Sequence, residues 1–454
     1  AFANYQMVKE NFRTIERLFN IEFNRDWNLT TISGNQSLLV SGFNFDFKTN
    51  GFAKYQLEKL DFTDNFSGTR HIVQGSFKHK RLVVQQNSSF MKSSGTISDT
   101  DFIRNQTNTK YHFKKNWVGG SFNLEDNQEK LAITNQYSNL SQRFSEYGAF
   151  VGRGDSTKVY TEIGYLYRKN DSLQSGILQR VNTSNSYYLK SKLIQNQKTN
   201  LSLFVNYRRL VFTDATLPTE PSLNSRLLYN DNFFNQLVQT TLAYETVSGT
   251  IAQQEFTYLE VNQGQGVYMW NDYNNNGIQE LQEFEIAAFP DQAKYVRVFL
   301  PNQVFVKTHQ NKFSQSVTLS PSKWINEKGF KKLLSFFYNQ TSFALDRKIQ
   351  RDASNFNLNP FSTSEDNLLG LNTNFRNSLF YNRGKQKHSF TYNYTQSRVK
   401  NLLSIGSQEN STKSNQLQYA HLVKKSWLFN FDTSFSNSES ISDNYASRNF
   451  QLNG

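Results

Sequence analysis

The feature that most constrains this chain is its persistent alternation. In stretch after stretch, apolar and polar side chains change places at every residue. Period two means an extended strand with one apolar and one polar face. In "LVSGFNFDFK", Leu39, Ser41, Phe43, Phe45 and Phe47 share one face, and Gly42, Asn44, Asp46 and Lys48 the other. In "WLFNFDTSF", Trp427, Phe429, Phe431, Thr433 and Phe435 oppose Leu428, Asn430, Asp432 and Ser434. Val159, Thr161, Ile163, Tyr165 and Tyr167 line up in the same way, as do Phe390, Tyr392 and Tyr394. Asp, Asn, Lys and Gly on the second face suit a wet lumen and are out of place inside a dry sandwich.

Composition points in the same direction. Hydrophobic residues make up 37% and mean hydropathy is −0.66, low for a soluble core in a chain of 454 residues. Yet 15% of residues are aromatic, with 40 Phe and 23 Tyr. A transmembrane β-barrel needs apolar side chains only on its outer face, with aromatic girdles at both interfaces. No apolar run is long enough for a membrane-spanning helix. Cys is absent, so disulfides and Cys-based metal sites are excluded. The expected fold is all-β: an antiparallel transmembrane β-barrel of about 18 strands, strands missing at either end being allowed for, with one long acidic loop insertion. The chain opens "AFANYQ" and stops at "NFQLNG" in strand-like text, which reads as a processed or truncated piece of a longer protein.

Links between strands fall into two kinds. Short polar turns are expected near Asn50-Gly51, Lys78–Arg81, Lys114–Asn116, Gly154–Ser156, Asn196–Asn200, Ser248-Gly249, Asn326–Gly329, Arg383–Lys387 and Lys424–Ser426. Asn50-Gly51 suits a type I′ turn. Longer polar stretches lie around 93–106, 126–144, 169–184, 213–232, 263–302, 347–366 and 401–414. Short turns on the periplasmic side and long loops outside are the rule for outer-membrane barrels. Residues 1–30 differ. There "YQMVKENFRTIERLF" puts Val8, Phe12, Ile15 and Leu18 or Phe19 on one helical side, so this segment is either a short helix or an irregular lead-in to a barrel over 31–454.

Within 263–302, "DYNNNGIQELQE" reads D-x-N-x-N-G-x₅-E, the order of a calcium-binding loop. Oxygen ligands would come from Asp272, Asn274, Asn276 and Glu283, from the Ile278 carbonyl, and from Glu280 directly or through water, with Gly277 at the sharp turn. From Asn262 to Ala293 there is no Lys or Arg, while Asp272, Glu280, Glu283, Glu285 and Asp291 are acids. Two Asn ligands in place of carboxylates imply weak Ca2+ affinity, on the order of 10⁻⁴–10⁻³ M, and a static brace rather than a switch. An Asn/Gly-rich surface turn is the plainer reading. The following "LQEFEIAAF" fits a short exit helix through Leu281, Phe284 and Ala288.

No other chemistry stands out. The six histidines are scattered without paired spacing, and no phosphate-binding loop, dinucleotide fingerprint or nucleophile elbow occurs, so no enzyme is expected. Net charge is +13, but Lys and Arg are spread along the chain and not gathered in a stripe, which argues against nucleic acid. The densest group, Lys78, His79, Lys80 and Arg81, reads as a solvated turn.

The segment "GQGVYMWNDYNNNGIQELQEFEIAAFPDQAKYVRVFLP" resembles one found in large outer-membrane barrel proteins of Bacteroidota. The lead-in "IERLFNIEFNRDWNL" is similar to stretches before barrel strands in that group, including the translocon barrels of its type 9 secretion system. The resemblance implies location and fold class. The functional expectation is an outer-membrane barrel in transport, secretion or envelope assembly, in contact with lipid and with other envelope proteins. The alternative is a secreted or surface-attached β-rich adhesin.

Overall fold

The structure, a computed structural model, describes all of residues 1–454 except 13–22, 28, 30–33, 156–157, 274–278, 280–282, 288, 352–355, 363–366, 386, 404–405, 425 and 443–447. The described residues form 22 strands and little helix. They fall into two compact units, Ala1–Leu193 with Phe204–Pro221, and Ile194–Leu203 with Ser222–Gly454.

The first unit is an antiparallel meander. Its strands are β1 (Phe2–Val8), β2 (Gln36–Asp46), β3 (Gly51–Phe62), β4 (Phe66–His79), β5 (Leu82–Gly95), β6 (Ser98–Phe113), β7 (Asn116–Leu131), β8 (Gln142–Gly154), β9 (Tyr160–Gln174) and β10 (Ile177–Gln195). Each pairs with the next in sequence. Tight turns make this possible. Lys80-Arg81, Lys114-Lys115 and Ser175-Gly176 are two-residue links, with φ of 51° at Lys80, 55° at Lys114 and 51° and 83° at Ser175 and Gly176. Positive φ matches the twist of the flanking strands. Asn50-Gly51 departs from the expected type I′ turn. The positive-φ residues there are Lys48 and Gly51, and residues 48–50 form a 3-10 turn, just before which the Asp46 carboxylate accepts from the Lys48 N–H at 2.7 Å.

Register separates two faces. One cross-strand row runs Asn44, Lys54, Gln74, Asn87, Gln106, Asn123, Glu146, Arg168, Ser184, polar at every strand from β2 to β10. The neighbouring row on the other face runs Phe45, Ala53, Gly75, Gln86, Thr107, Phe122, Tyr147, Tyr167, Asn185. Its interruptions Gln86 and Thr107 satisfy each other: the Thr107 hydroxyl donates to Gln86 Oε1 at 2.6 Å, and Gln86 Nε2 to Asn105 Oδ1 at 2.6 Å. Val73, Phe77, Tyr111, Val118, Val151 and Ile163 lie on this second face and are all well exposed.

Strands of the second unit include β12 (Glu220–Phe233), β13 (Val238–Glu260), β14 (Tyr268–Trp270), β15 (Phe284–Ile286), β16 (Tyr295–Leu319), β17 (Phe337–Gln350), β18 (Leu368–Tyr381), β19 (Ser389–Leu403), β20 (Gly406–Val423), β21 (Trp427–Ser442) and β22 (Arg448–Asn453); β11 (Thr199–Phe212) belongs partly to each unit. Here too the pairing is sequential and antiparallel, except that β13 pairs directly with β16 around the β14–β15 hairpin. Phe390, Tyr419 and Phe431 share a row, with Trp427, Phe429 and Phe431 all more than half exposed.

Several expectations need correction. The ladders among the described residues leave the sheet unclosed, and 22 strands exceed the expected 18 or so. Stretches 93–106 and 169–184 are not loops. Strands run through them, broken only by the tight turns at 96–97 and 175–176; apart from residues such as Leu173, Ile177, Leu178 and Val181, the strand residues there are polar on both faces and look like loop in sequence. Ser248-Gly249 is no turn either. It lies inside the 23-residue β13, where Ser248 pairs with His309 and Gly249 with Thr308.

The lead-in is part of the fold. Phe2–Val8, overlapping the expected helix, is a strand on β2 with Tyr5 and Met7 exposed. Its remainder over 13–22, with Ile15, Leu18 and Phe19, lies outside the described residues. A single helical turn, α1 (Phe23–Asp26), then delivers Trp27 to the polar-row face of the sheet. Trp27 packs there with Leu60, Phe66, Met91 and Phe102, each no more than 6% exposed.

Candidate functional site

Within the first unit, the exposed apolar face has a definite height. Counted inward from the end of the sheet that carries the Lys80-Arg81 and Lys114-Lys115 turns, where Arg153 stands exposed on this face opposite Asn116, it stays uncharged for roughly ten residues. At about 3.3 Å per residue and a barrel-like tilt near 40°, that is about 25 Å, the height of the apolar band on an outer-membrane barrel. Beyond it the same face turns to Lys59, Lys92, Asp101, Asp126, Arg143, Lys169 and Asp171. Asp171 takes hydrogen bonds from Arg143, at 2.9 Å, and from Arg180. Burial alone would raise its pKa, but the two guanidiniums outweigh it and hold the carboxyl below the ordinary value.

The opposite face is polar and charge-paired. Arg70 meets Glu58 at 3.1 Å, Arg104 meets Glu125 at 3.2 Å, and Arg168 meets Glu146 at 4.0 Å, all pairs between neighbouring strands. On this face, near the turn between β8 and β9, is Glu162, 8% exposed. The Trp117 indole donates to Glu162 Oε2 at 2.8 Å, the Tyr188 hydroxyl to Oε1 at 3.3 Å, and Lys110 Nζ stands 3.6 Å away. A buried carboxylate persists only with such partners.

Beside Glu162 the face opens into a recess of about 620 Å³, lined among others by Gln85, Asn87, Gln106, Asn108, Phe150 and Tyr188. Three aromatic residues here lie opposite glycines. Register pairs Trp117 with Gly152, Phe150 with Gly119, and Tyr188 with Gly164. A Cβ on Gly119 would stand 2.3 Å from Phe150 Cζ, and one on Gly164 2.2 Å from Tyr188 Cζ. Glycine is required because the rings lie flat on the neighbouring backbone. Sequence reading missed this site. Its residues come from separate strands, and only register brings them together.

In the second unit, the acidic loop sits on a short stem. β14 and β15 pair Trp270 with Phe284, and the Asn271 N–H donates to the Glu283 carbonyl at 2.9 Å. The stem thereby brings the two ends of the expected calcium loop, Asp272 and Glu283, to one base. Glu283 is 2% exposed and accepts from the Trp270 indole at 2.8 Å. Asn274, Asn276, Gly277, Ile278 and Glu280 lie outside the described residues. Among the described residues no group of three or more His, Asp or Glu converges as a metal site. Where an exit helix was expected, Phe284–Ile286 is a strand. Phe284 stacks on Tyr258 at 4.1 Å and meets Tyr295 edge-on at 5.0 Å, so packing selects period two over the helical spacing.

No protein-family profile matches the chain, and no curated protein matches it. Among solved structures it is similar to the siderophore receptor PirA from Pseudomonas aeruginosa, with 8% identity over 93% of this chain and 76% of that one and a TM-score of 0.36. It is similar to the alcaligin outer-membrane receptor FauA from Bordetella pertussis, with 6% identity, coverages of 93% and 72% and a TM-score of 0.39. It is also similar to OccK8 (OprE) from Pseudomonas aeruginosa, with 10% identity, coverages of 92% and 96% and a TM-score of 0.27. At such identities and TM-scores no residue and no activity carries across.

Proposed function

We propose that this chain is a wall of an outer-membrane β-barrel in a bacterial envelope, of the Bacteroidota kind its loop segment resembles, and that it handles solute or polymer traffic across that membrane. The observation that carries the reading is the two-faced register of β2–β10. One face is exposed, largely apolar and about 25 Å tall, and the other carries an unbroken polar row with ion pairs between neighbouring strands. A soluble adhesin sandwich would bury its apolar face against a second sheet, whereas Val118, Tyr147, Val151 and Ile163 are each about half exposed. The test is gel migration of the protein extracted from membranes, with and without boiling. A compact band that shifts on heating is expected. A single unshifted band, with protein released into the soluble fraction, would favour the adhesin.

The same reading places a weakly bound Ca2+ in the acidic loop. Asp272, Asn274, Asn276, Glu280 and Glu283 and the Ile278 carbonyl would hold it, neutralising acids that the stem draws together. The converging ends at Asp272 and Glu283 support the fit. Millimolar Ca2+ should then protect residues 271–283 from protease, and Asp272→Ala should remove that protection. Equal cleavage with Ca2+ and with chelator would rule the ion out.

A further inference from the structure

We infer that the recess beside Glu162 binds a neutral polyhydroxylated chain, an oligosaccharide. Its apolar ring faces would lie on Phe150 and Tyr188 and its hydroxyls on the amides of Gln85, Gln106 and Asn108. The inference rests on the reading of this face as a lumen and names what that lumen takes.

Three observations converge. First, the charges of the recess cancel. Its charged lining residues are Lys110, Lys190, Glu146 and Glu162, two of each sign. Glu162 is already committed to Trp117, Tyr188 and Lys110, and Glu146 accepts from Asn123 at 2.9 Å. An ionic ligand finds no excess of opposite charge. Second, the side chains of Gln85, Gln106 and Asn108 make no hydrogen bond within the protein among the described residues. Each carboxamide offers donors and an acceptor side by side, the complement of a sugar hydroxyl, which also donates and accepts. Third, the rings are laid flat. Gly119 and Gly164 leave no side chain beneath Phe150 and Tyr188, so one face of each ring rests on backbone. The ammonium groups of Lys110 and Lys190 stand over these rings, 5.1 and 4.7 Å from the centroids; a stacked sugar takes their place on the ring faces, and the displaced ammonium groups donate to its ring or glycosidic oxygens. A flat apolar platform edged by uncommitted amides matches a pyranose, with its C–H face and its rim of hydroxyls.

The test uses the full chain in a detergent without a sugar headgroup. A linear neutral gluco-oligosaccharide and its sulfated counterpart are titrated calorimetrically. Compactness of every sample is read by the heat-shifted gel band. Saturable binding of the neutral chain is expected, with the sulfated chain at least tenfold weaker. The double variant Gln106→Ala/Asn108→Ala should lose at least tenfold in affinity, and Gly164→Ala, which lifts the Tyr188 ring, should do the same. Compact protein that binds no neutral oligosaccharide, that prefers the sulfated one, or whose variants bind unchanged overturns the site and leaves the barrel reading standing. A chain that never gives the compact band overturns both.

Discussion

An arginine at Phe122 should destabilise the protein in lipid by about 2–4 kcal/mol, the cost of a cation on the lipid face near mid-bilayer. An arginine at Asn123, its neighbour in β7, should be tolerated. Phe122 pairs with Thr107 and Tyr147 on the apolar face, its ring 5.2 Å from that of Tyr147. Asn123 points to the other face and donates to Glu146, which an arginine would also satisfy. Urea titration of the folded form in lipid vesicles, read by the gel shift, compares the two. Equal costs at both positions would mean that the faces are not divided between lipid and water.

Removal of the Glu162 carboxylate is expected to be the costliest change on the polar face. Glu162→Ala leaves the Trp117 indole N–H, 4% exposed as a residue, without its acceptor and strips Lys110 of its counter-ion. Breaking a buried, hydrogen-bonded charge in this way costs about 2–4 kcal/mol. The lower part of that range is the better expectation because Lys110 is 35% exposed and water replaces part of its loss. Glu162→Gln keeps one acceptor oxygen for the Trp117 N–H and offers its NH2 to the Tyr188 hydroxyl, which can turn to accept, so it should recover part of the loss without the charge that Lys110 needs. Urea midpoints and tryptophan emission measure both variants. An alanine variant as stable as the parent would show that Glu162 holds nothing in place.

Much of this was readable in the chain, and the failures have physical causes. The alternation of Phe43, Phe45 and Phe47, or of Phe429, Phe431 and Phe435, identifies strands and their apolar face because side-chain direction has period two whatever the tertiary context. Loop lengths were misjudged where β5, β6, β9 and β10 run past the apolar band. A strand wet on both sides has no apolar face to announce it. Ser248-Gly249 has turn chemistry but sits mid-strand, its pairing to His309 and Thr308 overriding local preference. Asp272 and Glu283 were readable as the ends of a loop motif, since such ligands are close in sequence. The recess was not readable. Gln85, Asn108, Phe150 and Tyr188 lie on four strands, and the glycines beneath the rings acquire meaning only once register sets Gly119 against Phe150 and Gly164 against Tyr188.

The length of one hairpin has an electrical consequence. β13 and β16 hold 23 and 25 residues, while roughly ten residues suffice to cross the apolar layer. Tilted by about 40°, the surplus would lift the β14–β15 tip some 30 Å above the lipid surface. Ionic screening at physiological salt acts over about 8 Å. Apart from Lys294 and Arg297 at its base, the acidic tip therefore feels little of the positive charge on the rest of the chain, which exceeds the net +13 by the five acids of Asn262–Ala293. An approaching macromolecule would meet the negative tip of this hairpin before its base, so that salt and divalent ions at the tip would tune first encounter.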